Sequence, residues 1–267
     1  MTIHVRDVVA AMERLFPPDT AESWDRVGLS VGDPGARVRS IGFAVDPCEA
    51  SVSEAIESGV DMLITHHPLY LRGTHSVATT TAKGSWTSRL IKSDVALYSA
   101  HTNADVAVST LALANLLGVS LERPLDMETG IGGVGSIART TVENFAKQVA
   151  EVLPRVPAGV LVGGEPGTRV ERVAICSGSG DSLLAAANAA GADVYLTADL
   201  RHHPATDHLW NGGCALVSAT HWATEWPLLS HMRDRLLADL GEHGADLPDT
   251  FISDIPTDAW FARIQVR

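Results

Sequence analysis

Short apolar runs alternate along this chain with stretches of helical spacing, and the alternation occurs twice in the same order. Residues 39–67 lie over residues 171–199 without a gap, at an offset of 132. Arg39-Ser-Ile-Gly-Phe-Ala-Val45 reads against Glu171-Arg-Val-Ala-Ile-Cys-Ser177, each a buried strand. Ala50–Gly59 reads against Ser182–Gly191, each a helix closed by glycine, where a left-handed residue ends helices at little cost. Val60-Asp-Met-Leu-Ile-Thr65 and Ala192-Asp-Val-Tyr-Leu-Thr197 then form second strands ending in threonine.

A third pair follows at an offset of 120: Val95–His101 against Ala215–His221, apolar strands ending on histidine. Helices are predicted after them, over Val106–Leu117 and Trp226–Leu240. Strands alternating with helices predict an α/β fold of two related lobes. The opening stretch Val5–Phe16 has helical spacing and stops at Pro17-Pro18. Between the halves, Thr129–Ser136 is glycine-rich, Thr141–Leu153 is helical in pattern, and Gly159–Gly164 reads as a strand and turn. The expected organisation is a first lobe over 1–124, a smaller inserted α+β element over 125–170, and a second lobe over 171–267. The glycines of the insert fit neither dinucleotide nor P-loop fingerprints.

Composition narrows this picture. With 267 residues and 45% hydrophobic content, the chain is long and apolar enough for a sizeable core. A net charge of −12 repels a nucleic-acid backbone, so nucleic acid is disfavoured as a partner. Cys48, Cys176 and Cys214 form no CxxC and read as small buried side chains of a reducing compartment. No run of 18 uncharged apolar residues occurs, and the expectation is a cytoplasmic protein with no membrane partner.

The chemistry gathers at the ends of the strands, the edge where open α/β sheets bind ligands. His66 and His67 follow Met62-Leu-Ile-Thr65 directly. Neighbouring side chains of an extended strand face opposite ways, so both histidines reach one centre only if the strand has ended, or if they address different ions. Asp105 stands four residues after His101, and Glu225 four after His221. Asp105 is a metal ligand or a helix cap. His221 and Glu225 share a helical face if the helix already runs there, but Pro227 points to a start near Glu225.

His66, His67, Asp105, His221 and Glu225 offer nitrogen and oxygen without thiolate. That set suits two divalent cations, Zn, Fe, Mn, Co or Ni, which would reverse the acidic field locally and draw an anionic substrate. His101 is the candidate catalytic base or proton shuttle, with loop orientation the alternative. His202-His203 follows Asp199, the residue aligned with His67, so this loop could reach the same cleft, with surface histidines the alternative and the reading preferred. His75 lies in a stretch that could gate the site.

These segments, with Ser23-Trp-Asp-Arg-Val-Gly-Leu29, Leu63–Leu69, His101–Asp105 and His221–Glu225, resemble the NIF-three-like family, whose members are often named GTP cyclohydrolase 1 type 2 homologs. The resemblance implies a two-lobed fold with a dinuclear site at those five ligands, Glu225 bridging, and a toroidal homohexamer. It also implies a metal-dependent hydrolase acting on a nucleotide or phosphorylated small molecule. Phosphoester hydrolysis is the competing enzymatic account, and a regulatory or scaffold protein that keeps metal without turnover is the account of a different class. The segment Asp199–His203 departs from the family's common pattern, as do Gly133 and Val134 where an arginine-containing version is frequent.

Overall fold

A computed structural model describes residues 2–264. The chain folds as two units, one comprising the residues up to Ala107 with Leu229–Thr257, the other Val108–Leu228 with the residues from Asp258 on.

The first unit holds a five-stranded sheet in the order Asp249–Ile252, Ser40–Ala44, Met62–Thr65, Ala96–Ser99, Gly28–Val31. The first four run parallel and Gly28–Val31 closes one edge antiparallel. All of Met62–Thr65 and Ala96–Ser99 is buried, as continuous apolar runs require when both sheet faces are covered. Val52 and Ala55 of helix Glu49–Glu57 and Leu90 of helix Ala82–Lys92 pack with Ala44, Leu63 and Leu97 in one apolar cluster. Helix Val5–Leu15 is closed at its start by Asp7, which accepts from the His4 backbone N–H at 2.8 Å, and it ends before Pro17-Pro18 as expected. Helix Leu228–Glu242 buries Leu229, Met232, Leu236 and Leu240, one stripe of its surface.

The second unit holds a six-stranded sheet in the order Ser120–Arg123, Gly133–Thr141, Arg169–Ser179, Val194–Ala198, Ala215–Ser218, Leu161–Gly163. Arg169–Ser179, Val194–Ala198 and Ala215–Ser218 are mutually parallel; the outer strands are antiparallel. The chain therefore divides differently from the expected 1–124, 125–170 and 171–267. The stretch 125–170 supplies strands Gly133–Thr141 and Leu161–Gly163 to this sheet instead of standing apart. The end of the glycine-rich run, Gly133–Ser136, lies in that strand, and glycine at 135 lets it approach Ser120, whose backbone a Cβ there would meet. Cys176 is buried and Cys48 and Cys214 are half-buried, and none of them forms a disulfide. Trp210, the last residue of helix His202–Trp210, is exposed.

The two units repeat one another down to single hydrogen bonds. Asp61 accepts from the backbone N–H groups of Arg39 and Ser40, and Asp193 accepts from those of Glu171 and Arg172, each position displaced by 132. The third strands keep register at 119, not 120: Thr65 pairs with Ser99, and Thr197 with Ser218. His101 and Thr220 consequently hold the equivalent helix-start positions, and His221 is the first residue inside its helix. One residue amounts to a rotation of about 100° around a helix, so the His-x-x-x-Asp and His-x-x-x-Glu segments are alike in spacing but not in placement.

Candidate metal centre

In the first unit strand Met62–Thr65 stops just before the histidines, although the His66 and His67 amides still donate to the carbonyls of Ala44 and Val45 at 3.1 and 2.8 Å. Thr65 Oγ1 donates to the His67 carbonyl at 2.8 Å and folds the chain over. The strand rule that sends neighbours to opposite faces no longer applies, and the two rings lie 4.9 Å apart, centroid to centroid. The His101 ring joins them at 5.1 Å from His66 and 5.2 Å from His67. His66, His67 and His101 each offer a ligand atom within 4.8 Å of the others, a group that could hold a metal ion.

The tautomers follow from the partners of Nδ1. His66 Nδ1 stands 3.0 Å from the Ala100 carbonyl oxygen, which can only accept, so this nitrogen carries the proton. His67 Nδ1 donates to Asp46 at 2.7 Å, and His101 Nδ1 to Asp25 at 2.9 Å. In its neutral form each ring therefore presents the Nε2 lone pair, the arrangement in which a carboxylate or carbonyl orients a ligating histidine.

Asp25 is buried and also accepts from the Thr102 backbone N–H at 3.0 Å and hydroxyl at 2.6 Å. Burial alone would raise its pKa, but the bonds from His101 and Thr102 outweigh it and hold the carboxyl well below the usual range. Trp24 meets the His101 ring edge-on at 5.8 Å.

Asp105 follows the short helix Thr102–Ala104 and opens a π-helical turn, Asp105–Ser109, a rare widening that concentrates at functional sites. Its Oδ1 lies 3.6 Å from His66 Nε2. With Nδ1 protonated, these are two electron-rich atoms, and a proton or a cation between them reconciles the approach. Asp105 is thus placed among the histidines of the first unit rather than serving only as a cap.

In the second unit the helix starts at His221, four residues earlier than Pro227 suggests, and Thr220 caps it. His221 and Glu225 therefore share one face: Nε2 is 2.9 Å from Glu225 Oε1, and Nδ1 is 2.7 Å from Asp199 Oδ2. An imidazole between two carboxylates is either doubly protonated or coordinates through Nε2 while Asp199 keeps Nδ1. Asp199 adopts a left-handed backbone, φ 55°, a conformation that costs a non-glycine residue energy and marks a constrained position.

Glu225 is buried because Gly178, φ 64°, leaves room for it; a Cβ there would collide with its carboxylate. Thr224 locks the pair by accepting from the Gly178 N–H and donating to the His221 carbonyl, both at 2.9 Å.

His202 and His203 form an exposed pair, centroids 5.1 Å apart, opening helix His202–Trp210. His75 lies in an exposed loop between Tyr70 and Thr81. Asp25, Asp46, Asp199 and Gly178 were not singled out for the site from sequence. The repeat held part of the signal, because it aligns Asp46 with Gly178 and His67 with Asp199. Where one unit carries a carboxylate and an imidazole, the other carries a gap and a carboxylate.

A donor set of imidazoles and carboxylates, each imidazole Nδ1 set against an oxygen, fits a divalent transition-metal ion. Among the described residues no helix is long and apolar enough to cross a membrane. The family model described as Duf34/NIF3 (NGG1p interacting factor 3) matches residues 3–257. A Streptomyces coelicolor relative, "GTP cyclohydrolase 1 type 2 homolog", is 44% identical over 97% of this chain and 94% of its own length. A Mycobacterium tuberculosis relative of the same name is 30% identical, with 97% of each chain covered. Among solved structures, a Bacillus cereus protein related to NIF3 superposes with a TM-score of 0.89 at 21% identity over 99% of each chain, a likeness of fold. Staphylococcus aureus protein SA1388 gives 0.86 at 26% identity, covering 97% of this chain and 99% of its own. The family match spans every histidine and carboxylate segment described above, and the chain belongs to the Duf34/NIF3 family.

Proposed function

We propose that His66, His67, Asp105, His221 and Glu225 together hold two divalent cations, and that the protein is a cytoplasmic metal-dependent hydrolase of a nucleotide-like substrate, assembled as a homohexamer. The observation that carries this reading is a shared orientation: Ala100, Asp46 and Asp199 each set an acceptor oxygen against Nδ1 of a proposed imidazole ligand, which makes Nε2 the atom each ring would turn to an ion. Holding three histidines in one such orientation is what ligation needs and what surface histidines do not require. When bound, the cations supply Lewis acidity, polarising a phosphoryl or carbonyl oxygen and lowering the pKa of water.

The chain's own part is proton handling and placement. His101 accepts a proton at Nε2, and the ionised Asp25 behind Nδ1 stabilises the imidazolium that results. Glu225, buried beside Gly178, and Asp105, 3.6 Å from His66, would hold the ions through their carboxylate oxygens. The relatives' name makes GTP the first substrate to try.

The test is metal content of protein purified with Zn or Mn, followed by assay against GTP, other nucleotides and phosphoesters. Two ions per chain and a metal-dependent, formylated or ring-opened product from GTP support the cyclohydrolase reading, whereas inorganic phosphate alone supports a phosphoesterase. Metal retention without turnover, with partner binding altered in Glu225→Gln, supports the non-enzymatic regulatory or scaffold reading. Absence of bound metal overturns all three.

A further inference from the structure

The second unit exposes two apolar features. Residues 259–264 end the described chain as an irregular segment, Ala-Trp-Phe-Ala-Arg-Ile, in which Trp260 is 70% exposed, Phe261 94% and Ile264 90%. Single exposed apolar residues are ordinary, but three of the largest within five positions are a patch that water disfavours. The other feature is the outer strand of the six-stranded sheet, Leu161–Gly163, which pairs with Ala215–Ser218 on one side only. Leu161 on it is 65% exposed. Between this strand and helix Val142–Val152 lies a cavity of about 420 Å³ lined by Ala146, Ala150, Val160, Val162 and Pro166, with Glu143 and Lys147 on its rim.

An open strand edge with apolar side chains is a template for another strand, and proteins that leave one uncovered usually have something to put on it. The tail has the matching pattern. Extended, it would turn Trp260, Ala262 and Ile264 to one face and Phe261 and Arg263 to the other. Beside these apolar residues the tail carries Arg263, and the groove carries Glu143, paired there with Lys147 at 2.8 Å. In a chain of net charge −12, association between copies needs such apolar contact to overcome repulsion.

We infer that the segment 259–264 of one copy docks in the groove between strand Leu161–Gly163 and helix Val142–Val152 of a second copy, adding a strand to the open edge and seating Trp260 in the cavity. This rests on the homohexamer of the proposed function, for which it names one contact between copies, and it does not depend on the metal reading.

The experiment is sedimentation of the full chain beside Trp260→Ala/Phe261→Ala and Val162→Glu, with far-UV circular dichroism as the check on folding. Each variant is expected to keep its spectrum while its mass falls by at least half, and mixing the two is expected to restore part of the larger mass, since one supplies the tail and the other the groove. A synthetic peptide of residues 258–267 should bind the Trp260→Ala/Phe261→Ala protein with a blue shift of tryptophan emission, and should not bind Val162→Glu. Unchanged mass in both folded variants, a full chain that sediments singly, or a mixture that does not reassociate overturns the inference. Peptide binding serves as the deciding measurement if either variant misfolds, and its absence overturns the inference as well.

Discussion

Gly178 and Glu225 occupy one space between them: the carboxylate lies where the glycine's side chain would be. In the first unit the position equivalent to Gly178 is Asp46, whose carboxylate orients His67. The second unit gives up that carboxylate, admits Glu225 from the helix, and takes its orienting oxygen from Asp199 instead. The repeated framework thus carries two different donor sets.

Gly178→Ala should therefore act on metal content and stability together. The methyl group displaces Glu225 and also forces a left-handed backbone on alanine, for a combined cost of about 1–3 kcal/mol. The expected result is a lowered unfolding midpoint and loss of one equivalent of metal, measured by chemical denaturation and elemental analysis. Full metal content in a folded variant would show that Glu225 does not need this space to coordinate.

His101 separates two roles by one measurement. If it carries protons, His101→Ala keeps the metal and loses about 10²–10⁴-fold in turnover. If it is a third imidazole ligand beside His66 and His67, the same change lowers metal content in proportion. Asp25→Asn sharpens the distinction, because it removes the charge behind the ring while leaving the ring in place; the proton role predicts a turnover loss of about 10–100-fold without loss of metal. Equal loss of metal in both variants would end the proton reading.

Much of this arrangement was legible in the sequence because the repeat preserves local features: strand ends, glycine-closed helices, and the aspartates that cap paired strands. His66, His67 and Asp105 were recognisable because they stand at those ends. What the sequence hid was set by distant contacts. Asp25 reaches His101 across 76 residues, and Asp46 reaches His67 across 21, neither with a periodic signature. The glycine-rich stretch read as part of an insert because its reason, close approach to Ser120, exists only once strands Ser120–Arg123 and Gly133–Thr141 pair. The shift from 120 to 119 was invisible for a related cause: two histidines align well in a string, but strand register decides equivalence.

Asp61 predicts a pH dependence with a definite sign. Burial would raise its pKa, but hydrogen bonds from the Arg39 side chain and from the backbone of Arg39 and Ser40 lower it. A carboxyl with a folded pKa below its unfolded value of about 3.9 contributes its full stability above that value and loses it as pH falls through the folded pKa. Denaturation midpoints at pH 6 and pH 3 should therefore differ more in the natural protein than in Asp61→Asn. Parallel curves would mean that the carboxylate is no better held in the fold than in the unfolded chain.

Tyr98 offers the converse case, a buried polar group with nothing to gain from its polarity. Its ring is fully buried in strand Ala96–Ser99, its hydroxyl makes no hydrogen bond among the described residues, and burial, followed by the charge of Glu13, pushes its pKa up. An unsatisfied hydroxyl in the core costs desolvation that the folded state does not recover, while the ring's contacts are kept on conversion to phenylalanine. Tyr98→Phe should leave the unfolding free energy unchanged or raise it by about 1 kcal/mol, with metal content unaffected. A loss of more than about 1 kcal/mol by denaturant titration would reveal a partner for the hydroxyl, most simply an ordered water bridging toward Glu13, and that water should then be sought by crystallography.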